Sequence, residues 1–180
     1  MMYVIEHLEG KLYDWCVIEY SHIAKIVGKG NFAITNLDRK DIAKASKITR
    51  NVFAKSFKDI GIKNACILSP YAKNTLRSED AKRFGCLVFG GILGDNPPKK
   101  RTAKFFSRVS CEKRNLGRKQ MSTDTAVYVA KNIIGGKKLC DFNFIDSIDV
   151  RLDRHLSVVL PFRYVKIKNK ILLPSGLIKL

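Results

Sequence analysis

Short apolar runs alternate with segments of helical periodicity along the first three quarters of the chain. Four of these runs, rich in β-branched and aromatic residues, predict strands at 3–5, 32–35, 65–68 and 86–89. Apolar residues recur at helical spacing over 12–27, and a charged segment over 38–57 is predicted to be mostly helical. This alternation predicts an α/β fold with a mainly parallel sheet.

The second half of the chain predicts three more helices and then a change of structure. The helices are expected at 78–84, 104–109 and 122–134, the last closed by Gly135 and Gly136. Beyond residue 139, strands at 158–160 and 163–168 flank Pro161, and 171–173 is expected to pair in a hairpin. We therefore predict two domains, an α/β domain at 1–138 and a small β-rich C-terminal extension at 139–180 packed on it.

Composition and charge add a class of partner. The 180 residues are 46% hydrophobic and 28% charged, which indicates a globular chain with a core. Lys and Arg number 34 against 16 Asp and Glu, and the net charge of +18 favours a polyanionic partner such as RNA or the ribosome. Residues 99–119 hold nine basic side chains and one acid, Glu112. A solvated basic surface is the alternative interpretation.

The sequence favours a cytoplasmic protein with no membrane partner. The five cysteines form no C-x-x-C pair, so neither a disulfide framework nor a zinc site is predicted. The first residues lack the apolar region of a signal peptide, and no apolar run approaches the ~20 residues of a membrane helix. No cluster of metal-ligating residues is present, and His7, His22 and His155 are expected to be structural or solvated.

A glycine-rich loop follows the fourth predicted strand and is the first candidate for a ligand site. Residues 90–95 read GGILGD and lead through Pro97 and Pro98 into the basic segment. In open α/β sheets ligands bind beyond the carboxyl ends of strands, and glycine lets a backbone approach a ligand closely. The loop lacks the G-K-[ST] ending of a P-loop, so nucleotide hydrolysis is disfavoured. We expect a cofactor loop with a basic patch behind it.

Residues 114–124, which read RNLGRKQMSTD, form the second candidate. They are polar and lead into the predicted helix at 122–134, so their backbone amides would surround a ligand near a helix N-terminus. A helix cap explains Ser122 and Asp124 equally well.

Five blocks of sequence together resemble one known family. They are 3–7 (YVIEH), Trp15 with 18–20 (IEY), 89–95 (FGGILGD) with 97–98 and 101–102, 120–124 (QMSTD) and 161–165 (PFRYV). In this order they resemble the SPOUT methyltransferases labelled SAM-dependent RNA methyltransferases in archaea, a family related to a yeast arginine methyltransferase of a small-subunit ribosomal protein. The segment 39–63 matches no block.

The resemblance implies a fold and a cofactor. The C-terminal part of the α/β domain would be threaded into a deep trefoil knot, and S-adenosylmethionine would lie bent within it, leaving as S-adenosylhomocysteine. Loops after the third strand, after the fourth strand and before the last helix would hold the cofactor. The implied cofactor-binding residues are Leu68, Ser69, Pro70, Phe89, Gly90, Gly91, Ile92, Leu93, Gly94, Asp95, Arg114, Leu116, Gly117, Gln120, Met121, Ser122 and Thr123.

The chemistry of methyl transfer suggests which carboxylates could orient the substrate. A sulfonium is already activated, so positioning the nucleophile does most of the work. An arginine guanidinium would need carboxylates to orient it, whereas a ribose hydroxyl or a base nitrogen would need a base or an acceptor. Asp95, at the cofactor loop, is the first candidate, and Glu19 and Asp124 are weaker ones. Glu6 is a further candidate carboxylate. For both Glu6 and Glu19, a structural hydrogen bond or ion pair is slightly preferred over a catalytic role.

The expected partner is a ribosomal component. Protein arginine is slightly preferred as the acceptor, RNA methylation is the alternative, and a non-catalytic ribosome assembly factor is the alternative of another class. Basic side chains expected to contact the substrate or RNA are Lys99, Lys100, Arg101, Lys104, Arg118 and Lys119. A monomer is expected, because the C-terminal extension would cover a face that other SPOUT enzymes use to dimerise, although a homodimer stays open.

Overall fold

A six-stranded, all-parallel sheet forms the centre of the molecule. The computed structural model describes residues 1–92, 101–107, 109–151 and 157–177. The strands are β1 (Met2–His7), β2 (Phe32–Thr35), β3 (Asn51–Val52), β4 (Ala65–Leu68), β5 (Cys86–Gly91) and β6 (Glu112–Arg114). They lie in the order β3-β2-β1-β5-β4-β6. The predicted fold class, an α/β fold with a mainly parallel sheet, is confirmed.

Helices cover this sheet because alternate side chains of its strands point to opposite faces. The helices are α1 (Asp14–Val27), α2 (Ile42–Ala45), α3 (Arg101–Phe106) and α4 (Thr123–Ile134). Ile5 of β1 belongs to the larger core cluster, which also contains buried residues of α1 and α4. Val4, its neighbour, belongs to the smaller cluster on the other face, with Phe106 of α3. The paired helices α1 and α4 therefore lie over one face of the sheet.

A small antiparallel sheet follows, as predicted for the end of the chain. It consists of β7 (Phe144–Arg151), β8 (Ser157–Ile167) and β9 (Lys170–Ile171). The two predicted strands around Pro161 are one continuous strand, β8. The Arg163 amide of β8 donates to the Gln120 carbonyl at 2.8 Å, which ties this sheet to the segment before α4.

Three predicted helices differ from those observed. The segment 38–57 contains a 3-10 turn (Arg39–Asp41), then α2 and β3, because the Thr49 hydroxyl donates to the Phe32 carbonyl and the Phe53 amide to Ile34, which draws this segment onto β2. The predicted helix at 78–84 is a 3-10 helix, Ser78–Lys82. The helix predicted at 104–109 is shifted toward the N-terminus, as α3.

Strand β5 is also longer than predicted. We expected it to end at Phe89 and the glycine turn to begin at Gly90. Instead Gly90 and Gly91 pair with Glu6 and His7 of β1. Their backbone groups complete the ladder beside β1, so the loop begins after Gly91. Among the described residues no helix is long and apolar enough to cross a membrane.

Candidate active site

The loops that follow β4 and β6 are bound to each other at the carboxyl edge of the sheet. The Ser69 amide donates to the Arg114 carbonyl at 2.9 Å, and the Asn115 amide donates to the Asn74 carbonyl at 2.8 Å. The Leu76 amide in turn donates to the Asn115 carbonyl at 3.0 Å. Since β4 lies between β5 and β6, the described parts of the three predicted cofactor loops meet at one edge.

Asn115 organises this junction, and the sequence analysis did not single it out. Its Nδ2 donates to the Ala72 carbonyl at 2.9 Å, and its Oδ1 accepts from the Gly117 amide at 3.0 Å. Gly117 has a φ of +92°, a left-handed conformation that favours glycine. The turn after Asn115 therefore has a fixed shape before any ligand binds.

The side chain of Arg114 is buried in an ion pair and does not point to solvent. Its guanidinium is buried against Asp80, with Nε 3.0 Å from Oδ2 and Nη2 3.0 Å from Oδ1, and Nη2 also donates to Glu112 at 3.2 Å. The hydrogen bonds with Asp80 raise the pKa of Arg114. Arg114 therefore contributes to the site through the backbone position it fixes. Its partner Asp80 lies within the segment 78–84 that was predicted as a helix, and its role as an ion-pair partner was not predicted from the sequence.

The other predicted cofactor residues divide by burial. Leu68, Ser69, Phe89, Gly91, Leu116 and Thr123 are buried, whereas Pro70, Gly90, Ile92, Gly117, Gln120, Met121 and Ser122 are partly exposed. The partly exposed group therefore provides the accessible surface at this edge. Leu93, Gly94 and Asp95, with Lys99 and Lys100, lie outside the described residues, and their predicted roles stay predictions.

Gly90 and Gly91 are required by packing. A Cβ on Gly91 would collide with the Tyr20 hydroxyl and with a methyl group of Ile5. A Cβ on Gly90 would collide with Thr102 of α3. The missing side chains let α1 and α3 approach the end of β5, so the glycines serve the fold whether or not a ligand lies nearby.

Glu19 of α1 and Asp124 of α4 form a buried pair of carboxyl groups with His22. Glu19 is 7% exposed and Asp124 is 1% exposed. His22 Nδ1 lies 2.8 Å from Asp124 Oδ2, while Asp124 Oδ1 is buried and has no hydrogen-bond partner within the described part of the chain. A buried carboxylate with an unsatisfied oxygen is unfavourable unless a donor arrives. Two of the three predicted catalytic carboxylates are thus brought together.

The electrostatics of this pair follow from burial. Burial, and then the negative charge of Asp124, raise the pKa of Glu19 well above its usual value, and a hydrogen bond with the Thr123 side chain opposes this. Burial raises the pKa of Tyr164 on β8, with smaller contributions from Asp124 and Glu19. Tyr164 of the C-terminal sheet therefore lies near enough to the carboxyl pair for the charge of that pair to affect its pKa. The pair is poised to bind a cation or to take up a proton.

Glu6 has a structural role. Both of its carboxylate oxygens are buried and accept hydrogen bonds, from the Thr35 and Ser56 hydroxyls and from the Phe57 amide. His7 is buried as well, and its Nδ1 lies 2.8 Å from the Tyr20 hydroxyl. Desolvation lowers the pKa of His7, which favours the neutral ring. These contacts support a structural role for both residues, although His7 Nε2 is buried without a hydrogen-bond partner among the described residues.

The helix α4 begins at Thr123, immediately after Ser122, close to the predicted position. The Ser122 hydroxyl pairs with the Thr125 hydroxyl at 2.8 Å and makes no side-chain bond to the helix backbone. Asp124 likewise uses its carboxylate on His22. Ser122 occupies the N-cap position and Asp124 the first turn, as the cap interpretation requires, but their side chains bond to Thr125 and His22 and not to the helix backbone.

The basic residues of the site are partly neutralised. Lys119 and Arg163 both bind Asp146, with Arg163 Nε 2.6 Å from Oδ1, and these bonds hold the pKa of Asp146 below its usual range. Arg118 is exposed and its Nη1 lies 3.4 Å from the Pro70 carbonyl. Lys104 is exposed on α3, and Arg101 begins that helix. Arg118 thus lies at the junction of two predicted cofactor loops.

Comparisons with known proteins agree with this architecture. A family described as "Protein arginine N-methyltransferase SFM1-like" matches residues 2–180. The chain belongs to this family. Protein arginine N-methyltransferase SFM1 of Saccharomyces cerevisiae is 36% identical over 200 residues, covering 100% of this chain and 93% of the yeast protein. This membership confirms the predicted enzyme class, an S-adenosylmethionine-dependent methyltransferase.

Solved structures with similar folds include two complexes of yeast SFM1 and a Trm10 protein. The crystal structure of yeast SFM1 complexed with SAM matches with a TM-score of 0.90 and 35% identity, over 99% of this chain and 88% of that one. The complex with SAH has the same TM-score and identity, over 99% and 93% of the two chains. The dual-specific Trm10 of Thermococcus kodakaraensis, with a TM-score of 0.61, 16% identity, and coverage of 78% and 96%, shares the fold alone. The predicted SPOUT fold is confirmed.

Proposed function

We propose that this enzyme methylates an arginine side chain of a ribosomal protein, using S-adenosylmethionine. The observation that carries the proposal is the buried carboxyl pair, in which Asp124 Oδ1 lacks a partner among the described residues and the pKa of Glu19 is raised. A guanidinium carries five N–H donors and a positive charge, and both suit such a pair. Glu19, the more exposed member, is the one that a substrate nitrogen would reach first.

The cofactor would lie at the carboxyl edge where the three loops meet. Half-buried Ile92 and Met121 provide apolar surface for an adenine, and half-buried Gln120 provides both a donor and an acceptor. When bound, S-adenosylmethionine supplies a methyl group on a sulfonium that already carries a positive charge. The role of this chain is then to hold the acceptor nitrogen in line and to stabilise its charge.

RNA methylation is the second candidate, and the net charge of +18 favours it. A ribose hydroxyl or a base nitrogen, however, would leave two buried carboxyl groups without a compensating cation. Positive charge is equally expected of an enzyme whose protein substrate lies beside ribosomal RNA, in the cytoplasm. We therefore assign the charge to docking on a ribosomal particle and the carboxyl pair to the acceptor, with Asp95 and the basic residues 99–101 as further contributors.

The deciding experiment separates the two acceptors directly. Small ribosomal subunits that lack the modification are incubated with the enzyme and isotope-labelled S-adenosylmethionine, and RNA and protein are then separated. We expect the label in one protein and, after acid hydrolysis, in methylarginine. Label in RNA would overturn the arginine assignment, and no label in either fraction would favour a non-catalytic assembly factor. Glu6→Gln, which removes a structural carboxylate, is the control for Glu19→Gln.

A further inference from the structure

We propose that His22 carries the proton released by arginine methylation from the buried carboxyl pair to a surface pocket between α1 and the C-terminal segment. This inference rests on the proposed function, because the proton in question is the one that the attacked guanidinium nitrogen loses.

The reaction must release one proton. A bond forms between the guanidinium nitrogen and the methyl carbon while the bond from that carbon to sulfur breaks, so the sulfonium becomes a neutral thioether. The guanidinium is a cation before and after the step, so the second positive charge leaves as a proton from the attacked nitrogen. A carboxylate of the Glu19–Asp124 pair is the acceptor within reach, and it must be deprotonated again before the next turnover.

The structure provides an outlet for this proton on one side of the pair. Asp124 is 1% exposed, while the side chain of His22, bonded to it at 2.8 Å, is 16% exposed. His22 lines a pocket of about 140 Å³ together with Ser21 and Lys25 of α1 and Pro174 and Ser175 of the C-terminal segment. The imidazole thus contacts the buried carboxylate through Nδ1 and stands at the wall of a solvent-open pocket.

An imidazole suits this position because it accepts and releases protons near neutral pH. The proton would pass from Asp124 Oδ2 to Nδ1, and the ring would release a proton from Nε2 to water in the pocket. The charged and titratable groups that face this path are Asp124 of α4, Glu19 and Lys25 of α1, and Tyr164 of β8, while Pro174 and Ser175 bring no charge.

A purely structural role is the alternative, in which His22 only orients Asp124. Two variants separate the roles. His22→Gln keeps an amide that can donate to Asp124 but transfers no proton, and His22→Ala opens a space beside the pocket into which free imidazole can diffuse. Lys29→Ala, which changes an exposed lysine just beyond α1, is the control.

The test measures the steady-state rate of methyl transfer over many turnovers across pH 6–9, because the carboxylate must lose its proton between turnovers, and calorimetry measures cofactor affinity. We expect both His22 variants to lose roughly 10- to 100-fold in rate at unchanged cofactor affinity. Free imidazole should restore the methyl-transfer rate of His22→Ala, with a pH dependence that follows the protonation of free imidazole. It should not change the rate of Lys29→Ala. If His22→Gln has the wild-type rate, or if folded His22→Ala gains nothing from imidazole, His22 is not a proton carrier. Failure of the proposed function appears separately, as absence of methylarginine with the unmodified enzyme.

Discussion

The guanidinium of Arg114 binds both carboxylate oxygens of Asp80, with two donor–acceptor distances of 3.0 Å, and joins the end of β6 to the 3-10 helix before β5. Asp80 also accepts from the Arg77 amide at 3.1 Å, so one carboxylate fixes two segments around the predicted cofactor loops. Both side chains are buried. Removal of one partner of a buried ion pair leaves an uncompensated charge.

Asp80→Asn should therefore destabilise the fold and weaken cofactor binding. We expect a loss of about 3 kcal/mol in the free energy of unfolding, because within the described part of the chain Arg114 would keep only the exposed Glu112 as an ionic partner. Urea denaturation measures the stability and calorimetry the affinity for S-adenosylmethionine. Asp59→Asn, at an exposed carboxylate, is the control. Equal stability of the two variants would show that the Arg114–Asp80 pair contributes little.

Glu19→Gln should reduce methyl transfer without destabilising the protein. Its pKa is raised well above 4.5 by burial and by Asp124, so the folded protein keeps a proton that the unfolded chain releases. Stability is therefore lost as the pH rises above 4.5, until the folded-state pKa is passed. The neutral amide removes this loss, and the variant should be at least as stable as wild type at pH 8.

The measurements are denaturation curves at pH 5 and pH 8, together with methyl-transfer rates. We expect stability to decrease less between the two pH values in Glu19→Gln than in wild type, and turnover to fall about 100-fold. Wild-type turnover in this variant would remove Glu19 from the acceptor site. An unchanged pH dependence of stability would contradict the raised pKa.

Gly91→Ala should be destabilising through overpacking. The added methyl group would collide with the Tyr20 hydroxyl and with Ile5, at an expected cost of about 1–3 kcal/mol. Tyr20→Phe removes the hydroxyl and leaves His7 without that hydrogen bond. In a double-mutant cycle the combined variant should be less destabilised than the sum of the single ones. If the changes in the free energy of unfolding are additive, the clash of the added methyl group is relieved by a movement of the backbone and not by removal of the Tyr20 hydroxyl.

Asp146→Asn should strengthen binding to RNA or to ribosomal particles. The carboxylate neutralises Lys119 and Arg163, and its loss would free two cations for phosphate. We expect a steeper dependence of affinity on salt concentration, since each phosphate contact releases counterions. Filter binding at several salt concentrations measures the slope. Asp149→Asn, an exposed residue of the same strand, should leave that slope unchanged, and equal slopes in both variants would remove this surface from the interface.

The sequence could place the strands because their signal is local. Burial on both faces makes each central strand a short apolar run, and 3–5, 32–35, 65–68 and 86–89 were recognisable for that reason. Strands β3 and β6 are two and three residues long and lie at the sheet edges, so neither carries such a signal. The segment 38–57 was wrongly predicted to be mostly helical. Thr49 and Phe53 form hydrogen bonds with β2, and the spacing of apolar residues along the chain contains no information about such long-range contacts.

The candidate active site also has features that could be predicted from the sequence and features that depend on tertiary packing. Residues that belong to one continuous loop, such as Gln120 to Ser122, could be assigned together, and the resemblance of their motifs to a family supplied the cofactor. The pairing of His22 with Asp124 spans 102 residues and depends on how α1 packs against α4. Arg114 is predicted at the cofactor site, and only the structure shows that its guanidinium binds Asp80, because a buried guanidinium is stable only beside a carboxylate. The sequence alone determined the four central strands, the helices α1 and α4 and the resemblance to a family, whereas tertiary packing decided the edge strands and which charges meet.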